Sequence, residues 1–498
     1  MAIELSNLTF TDEDDIVPVS GIEEILNTGI ANTLAGNDSI TGKPTDSSSG
    51  PTNGVYNSGT LNTDDGNDII TGIGSLGNHW WPGIFDPRNG IGIYNTIGTI
   101  ETGNGNDIIT GIGPFEGIQS LSGTINTGDD NDTITGAATV SADISGSGWG
   151  VGVGIWMADS TLDTGKGNDV IRGTAVNGAF GTGLSNRNGS TLTTDDGNDI
   201  IIGESTRGGV GISNDGLIDT GNGNDSITGT DTDELEFTGS GIVNSKDITT
   251  GDGEDYISGT AQINGIVNYG TINTDNGADN IFGNRLYEGG PDIINRGIIN
   301  TGNGPDFIES SGELYNTSNV FLGEGNDSLS ASSPDSFNNI ITNTSFIGTG
   351  DGNDIITSYG IVYNQGVIET GNGDDSIIGN EVYNNGGAIN MGDGNDSIIA
   401  NRNFKSDPNS SGAWFLGEGD DYIWGYGSGN FYGGSGNDTL ELELRSGTYT
   451  VGIWGSGDEW VIFTRGNEFM MTSEFETLKA GSTIYDFTSL TAGQIIVA

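Results

Sequence analysis

Sixteen aspartates in this chain end the same short loop, and the residues around them are those of a hard-cation site. The loop reads Thr-Gly-x-Gly-Asn-Asp at Thr102–Asp107, Thr164–Asp169 and Thr220–Asp225, and Gly-Gly-Ser-Gly-Asn-Asp at Gly433–Asp438. The aligned residues are Asp38, Asp68, Asp107, Asp132, Asp169, Asp199, Asp225, Asp255, Asp279, Asp306, Asp327, Asp354, Asp375, Asp396, Asp421 and Asp438. Glycines let the backbone turn so that carbonyl oxygens face one point, and Asp adds an anionic oxygen. Such an all-oxygen set suits Ca²⁺, which takes about six to eight ligands at about 2.3–2.6 Å.

The competing reading is a metal-free turn with each Asp in water. Charge decides against it. Carboxylates stacked at the ~4.8 Å spacing of neighbouring strands repel by ~1 kcal/mol per pair even in bulk water. A cation between them converts that repulsion into a cross-link, so folding should be linked to Ca²⁺. Several loops depart from the pattern. The first, Thr33–Asp38, begins Thr-Leu-Ala with no glycine before Gly36, and Glu254, Ala278 and Pro305 stand where Asn is usual.

The elements that hold these loops are repeats. The aspartates lie 17 to 39 residues apart, and the shortest units of the main array have 21 residues. Longer units carry their insertions at one place, after the segment that follows the Asp. Three apolar ladders run in phase. One is two residues after the Asp (Ile70, Ile109, Ile134, Ile171, on to Leu440). One is seven before it (Leu61, Ile100, Ile125, Leu162, on to Phe431). The third follows a glycine (Val55, Ile93, Ile118, Ile155). Around each the alternation is short and bounded by Gly and Asn, which indicates strands. No 3.6-residue period is sustained.

Each coil is therefore expected to have three short strands and three turns. One turn is Asn-x-Gly (Asn57–Gly59, Asn268–Gly270, Asn364–Gly366), where stacked Asn can form an amide ladder. One is the acidic loop and one is the variable corner. The fold class is all-β: a parallel β-helix or β-roll solenoid, with calcium loops along one corner and a β-rich C-terminal cap. The last two loops are 17 residues apart, so the coil should narrow to two strands there. The segments are 1–25 as an N-terminal cap, 26–444 as the repeat solenoid, and 445–498 as the C-terminal cap.

The loops resemble the RTX, or haemolysin-type, calcium-binding nonapeptide, Gly-Gly-x-Gly-x-Asp followed by x-aliphatic. Gly433–Leu440 matches in full, and the resemblance covers roughly residues 33–444. In other loops the first Gly is usually Thr, as at Thr63, Thr102 and Thr127, or Leu, as at Leu322 and Leu416. The resemblance implies that the sixteen Asp side chains and the loop carbonyls are calcium ligands. The period departs from the family, which usually carries two loops per coil on opposite sides. With one loop per coil, a single file of ions is expected. The resemblance also implies export through a type I channel, directed by an uncleaved C-terminal region, here from Leu440 onward with the phrase Ser473–Leu478.

Composition fits a secreted chain. There are 498 residues, 89 of them glycine, no cysteine and one histidine, with a formal net charge of −55. That charge disfavours nucleic acid and anionic membranes as partners and attracts cations. Without cysteine there are no disulfides or thiolate sites, and one imidazole argues against zinc or iron. Met1–Phe10 does not look like a Sec signal, and no stretch reaches the length of a membrane span.

The expected role is non-catalytic: a calcium-binding cell-surface, matrix or adhesive component. Its expected partners are calcium ions, cell-surface polysaccharide or other surface proteins, and the type I export machinery. The alternative is a β-helix enzyme acting on acidic polysaccharide, as a lyase or epimerase. That alternative rests on the insertion Asn78–Arg88, with His79, Asp86 and Arg88 beside Trp80, Trp81 and Phe85. The plain reading is that these aromatics cover a coil edge. A second insertion, Asn401–Ser411 with Arg402 and Lys405, points to no particular chemistry in the sequence. Thr at the loop start in nine successive units, Thr63 to Thr301, raises the idea of an array facing a crystal surface such as ice. Charged residues inside the loops break such an array, and the hydroxyl is better placed to complete the loop's own hydrogen bonds.

Overall fold

The computed structural model describes residues 2–18, 23–44, 52–75, 90–139, 152–175, 180–206, 208–232, 239–287, 290–332, 340–406, 412–442, 447–455 and 460–498. It forms two compact units: Met1–Asp275 with Phe282–Tyr287, and Asn276–Ile281 with Glu288–Ala498.

Each unit is a parallel β-helix. A coil supplies one strand to each of three ladders, as Ile108–Gly113, Glu116–Leu121 and Thr124–Asn126 do in the first unit. The three apolar positions of the sequence stack in register. Ile109 lies over Ile134 and Ile134 over Ile171. Ile118 lies over Ile155, and Ile125 over Ile100 and Leu162. All of these are fully buried. At about 1.5–3 kcal/mol for each buried aliphatic side chain, these ladders are the main favourable term of a coil. Among the described residues the only helical turns are two short 3-10 pieces, Leu5–Asn7 and Phe487–Ser489.

The variable corner lies between the first two strands of a coil. Gly113 and Glu116 bound it in one coil, Ile73 and Ile93 in the coil before. The two strands cross there with almost no space. A Cβ on Gly203 would lie 2.2 Å from the Gly211 carbonyl oxygen, and one on Gly229 would lie 2.2 Å from that of Gly241. In the second unit the two strands can merge, as in Ile355–Asn364, whose register shifts between Ser358 and Ile361.

The Asn turn forms the expected amide ladder, fully buried. In the first unit Asn186 Nδ2 donates to Asn214 Oδ1 at 2.8 Å, and Asn214 Nδ2 to Asn244 Oδ1 at 2.8 Å. The second unit runs Asn295, Asn316, Asn343, Asn364 and Asn384, at 2.9 to 3.1 Å. The first unit's ladder is interrupted where Ser120 and Met157 take the Asn position.

The final repeat coil has two strands, Tyr422–Trp424 and Gly429–Ser435. Large rings fill the core at this narrowing: Trp414 stacks on Phe431 at 4.4 Å, and Phe404 meets Phe431 edge-on at 5.1 Å. Beyond it, Thr448–Trp454, Trp460–Arg465 and Glu468–Ser473 pair antiparallel. Thr477–Ala480 adds in parallel to Thr439–Leu442, and Thr483–Asp486 then turns back antiparallel.

Candidate metal centre

The loops stack coil on coil, and all sixteen aligned aspartates point inward. Each is 0 to 2% exposed. The picture of an Asp standing in water at a turn tip is therefore overturned: the residue before it faces outward and the Asp faces in. Within each unit, successive aspartates use the backbone and one carboxylate oxygen to join the coils. The N–H of one donates to Oδ1 of the next Asp along the chain, as from Asp107 to Asp132 and from Asp132 to Asp169, both at 2.8 Å. Its carbonyl accepts from the residue after the next Asp, as when Ile200 N–H donates to Asp169 O at 2.8 Å. The second unit repeats this from Asp279 to Asp438 at 2.8 to 2.9 Å.

The other oxygen is the chemically informative one. In Asp68, Asp107, Asp132, Asp169, Asp199, Asp225, Asp306, Asp327, Asp354, Asp375, Asp396, Asp421 and Asp438, Oδ2 is buried with no hydrogen-bond donor. In Asp38 the Thr33 hydroxyl donates to Oδ2; in rungs such as Asp107 and Asp132 the hydroxyls of Thr102 and Thr127 lie near enough to offset part of the burial without making a full bond to Oδ2. A buried carboxylate oxygen without a donor is costly. Burial first, with neighbouring carboxylates adding, pushes Asp107 up to about 7 and Asp132 up to about 8.

Carbonyl oxygens of the preceding coil lie beside these carboxylates. The point a Cβ would occupy on Gly197 is 1.4 Å from Gly167 O and 3.1 Å from Asp199 Oδ1. The same point on Gly325 is 1.9 Å from Gly304 O and 2.9 Å from Asp327 Oδ1. Coil meets coil this closely where the loop residue is glycine, because a Cβ would collide with that carbonyl oxygen; in the Asp132 loop Asp130 takes the position with a left-handed backbone. Among the described residues no cluster of three or more His, Cys, Asp or Glu side chains is gathered. The donors at each step are one carboxylate and backbone carbonyls, a hard set that fits Ca²⁺ and not Zn²⁺.

The substituted loops keep the arrangement. Asp225 N–H reaches Asp255 Oδ1 at 2.8 Å although Glu254 replaces Asn, and Asp279 N–H reaches Asp306 Oδ1 at 2.9 Å although Pro305 does. The Asn position tolerates change because it is solvent-facing. There it builds a second ladder of opposite polarity: Asn106 N–H donates back to Asn67 Oδ1 at 2.7 Å, and Asn168 N–H back to Asn131 Oδ1 at 2.7 Å.

Thr at the loop start is fully buried from Thr63 to Thr301, so no threonine array faces outward at this position. Several of these hydroxyls donate to the next coil, as Thr102 Oγ1 does to Thr127 O at 3.2 Å.

Two rungs were not among the sixteen. Asp15 N–H donates to Asp38 Oδ1 at 2.8 Å, and Ile16–Val17 pairs with Ser39–Gly42, so Asp15 holds the Asp position of an opening coil. At the other end Asp438 N–H donates to Glu476 Oε2 at 2.7 Å, and Leu478 lies over Leu440. The first and last rungs thus lie inside the segments read as caps. The only signal in the sequence was an aliphatic residue two positions on, Val17 and Leu478. The insertion bearing His79, Asp86 and Arg88 lies outside the described residues.

No family model matches the chain, and no curated protein matches it. Among solved structures it is similar to a hyperactive, Ca²⁺-dependent, β-helical antifreeze protein from an Antarctic bacterium. The identity is 15%, over 96% of this chain and 94% of that one, with a TM-score of 0.30.

Proposed function

We propose that this chain is a calcium-stabilised repeat protein of the RTX kind: secreted, non-catalytic, and acting as a cell-surface, matrix or adhesive component. One observation carries the reading. Rung after rung, a buried aspartate has Oδ1 bonded to a neighbouring coil and Oδ2 without a full hydrogen bond, in a loop whose carbonyls stack coil on coil. The sixteen aspartates and the loop carbonyls would hold the ions, and Asp438 would share its step with the Glu476 carboxylate. Ca²⁺ neutralises the row and joins adjacent coils. At the ~10⁻⁴–10⁻³ M affinities of extracellular sites, a chain of this charge folds where calcium is millimolar and stays open where it is scarce. That makes the metal a structural staple and a switch tied to export through a type I channel.

The test is circular dichroism with calcium counted in parallel. EDTA should remove the β-signal, and millimolar Ca²⁺ should restore it with many ions bound per chain. A signal indifferent to chelator would sink the reading. Anomalous scattering from calcium-bound crystals should then place the ions in one file per unit.

A further inference from the structure

We propose that the C-terminal part of the second unit carries a binding groove for a carboxylated sugar, separate from the acidic loops. Cationic side chains are scarce in this chain, 14 against 69 acidic ones, yet three of them gather here. Arg402 and Arg465 line one cavity of about 720 Å³ together with Glu381, Asn403, Tyr426 and Glu468. Lys405 lines an adjoining recess of about 300 Å³ with Tyr363 and Tyr383. The Lys405–Glu381 ion pair, 2.9 Å long, joins the two linings, Glu381 belonging to the first and Lys405 to the second.

The parts are held in place by the coils. Tyr363 and Tyr383 occupy one register position on successive coils, with Lys405 on the next. The two rings meet edge-on at 6.0 Å, and Lys405 Nζ sits 4.4 Å over Tyr383 and bonds its hydroxyl. On the far wall the Tyr426 hydroxyl donates to Glu468 O at 2.9 Å, and its ring packs at 4.7 Å on Tyr449, over which the Arg465 guanidinium lies at 5.6 Å. Neither Arg402 nor Arg465 has a carboxylate within ion-pair distance among the described residues. In a chain with net charge −55, two guanidiniums that have no acid partner among the described residues and line one cavity suit an external anion.

The mixture of charges selects the kind of anion. A polyphosphate or a heavily sulfated chain would be repelled by Glu381 and Glu468 on the same walls. A sugar acid suits all of the parts. Its carboxylate takes the fork of an arginine, its hydroxyls donate to Glu381 and Glu468 and accept from Asn403, and its apolar ring face lies against the partly exposed Tyr363 or Tyr383 of the adjoining recess. The cavity has the volume of a site for a small ligand, about 300–1,000 Å³. The groove uses none of the sixteen aspartates, so it goes beyond the calcium reading.

The experiment is titration calorimetry on the full chain in calcium, with trigalacturonate as probe. Each variant must first show the wild-type β-signal and the same calcium count, which keeps a failure of the groove distinct from a failure of the calcium sites. Wild type should bind the probe, Arg402→Ala and Arg465→Ala should each weaken it about tenfold or more, and neutral maltotriose should not bind. Arg402→Lys should recover only part of the loss, because a lysine cannot make the paired bonds. The proposal is overturned if wild type does not bind the probe. It is equally overturned if the double Arg→Ala variant binds unchanged, which would place the sugar on loop-bound calcium, or if a sulfated trisaccharide binds as tightly.

Discussion

Acid should be able to take the place of calcium in folding this chain. With no cation present, burial raises the inward carboxyls from 3.8 to about 7 in Asp107, Asp199 and Asp306 and to about 8 in Asp132. The unfolded value stays near 3.9. An acid whose folded value is raised holds its proton more tightly in the folded state. The stability it contributes is therefore present at low pH and falls as pH rises from about 4 toward the folded value. A rise of about three units corresponds to at most about 4 kcal/mol for each such residue, at 1.36 kcal/mol per unit. Whole domains are stable by only about 5–15 kcal/mol, so three or four ionised rungs are enough to unfold a unit that has no counter-ion. In EDTA, lowering the pH from about 8 to about 5 should bring up the β-type circular dichroism that calcium brings up at pH 8, with compaction of the chain in sedimentation. In calcium the linkage reverses: binding at pH 7 should release protons, and more Ca²⁺ should be needed as the pH falls. If acid in EDTA left the chain open, or melted a β-signal already present at pH 8, the buried carboxylates would not be what calcium answers.

Gly197→Ala should be far more damaging than an ordinary surface change. Its Cβ would meet Gly167 O at 1.4 Å, backbone against backbone with no rotamer to escape into. A loss of about 3 kcal/mol or more is expected, read in urea melts, with at least one fewer ion bound. Asn214→Ala removes the acceptor for Asn186 and the donors to Asn244 Oδ1 and Asp247 O. It should cost about 2–4 kcal/mol, seen as a lower thermal midpoint in saturating calcium with the ion count unchanged. Glu476→Ala deprives Asp438 N–H of its acceptor. It should raise the calcium concentration needed for folding, whereas Glu476→Gln keeps an acceptor oxygen and should be milder.

Much of the architecture could be read from spacing alone. Ile109, Ile100 and Ile93 declared three inward positions per coil, and Asn57, Asn268 and Asn364 declared a stacked turn, because the inward positions are apolar throughout and the turn keeps Asn in most coils. The direction of the acidic loop was harder to see. Asn106 and Asp107 are both polar, and only the built coil shows that the first faces water and the second the core. The end rungs were hidden for a different reason. Asp15 follows Glu13 and Asp14 instead of Gly and Asn, and Glu476 is a longer acid reaching the same place. The groove of Arg402, Lys405 and Arg465 was illegible because its members come from separate segments and meet only after the Asn403 and Glu468 strands are placed.

The end rungs have a consequence for what kind of object the chain is. Most coils offer their neighbours the same Asp joint and apolar rows, so little within such a coil counts coils. A duplication or loss of one 21-residue repeat, such as that between Asp354 and Asp375, would leave every joint intact. The tally is set only at the ends. There Asp15 turns its carboxylate back onto Thr11 N–H at 2.9 Å, and the strand after Glu476 runs antiparallel under Thr483–Asp486. At the Glu476 end the antiparallel strand takes the outer edge of Thr477–Ala480 that a further parallel coil would otherwise pair with, so the stacking geometry is closed off by a change of strand direction and not by a change of repeat.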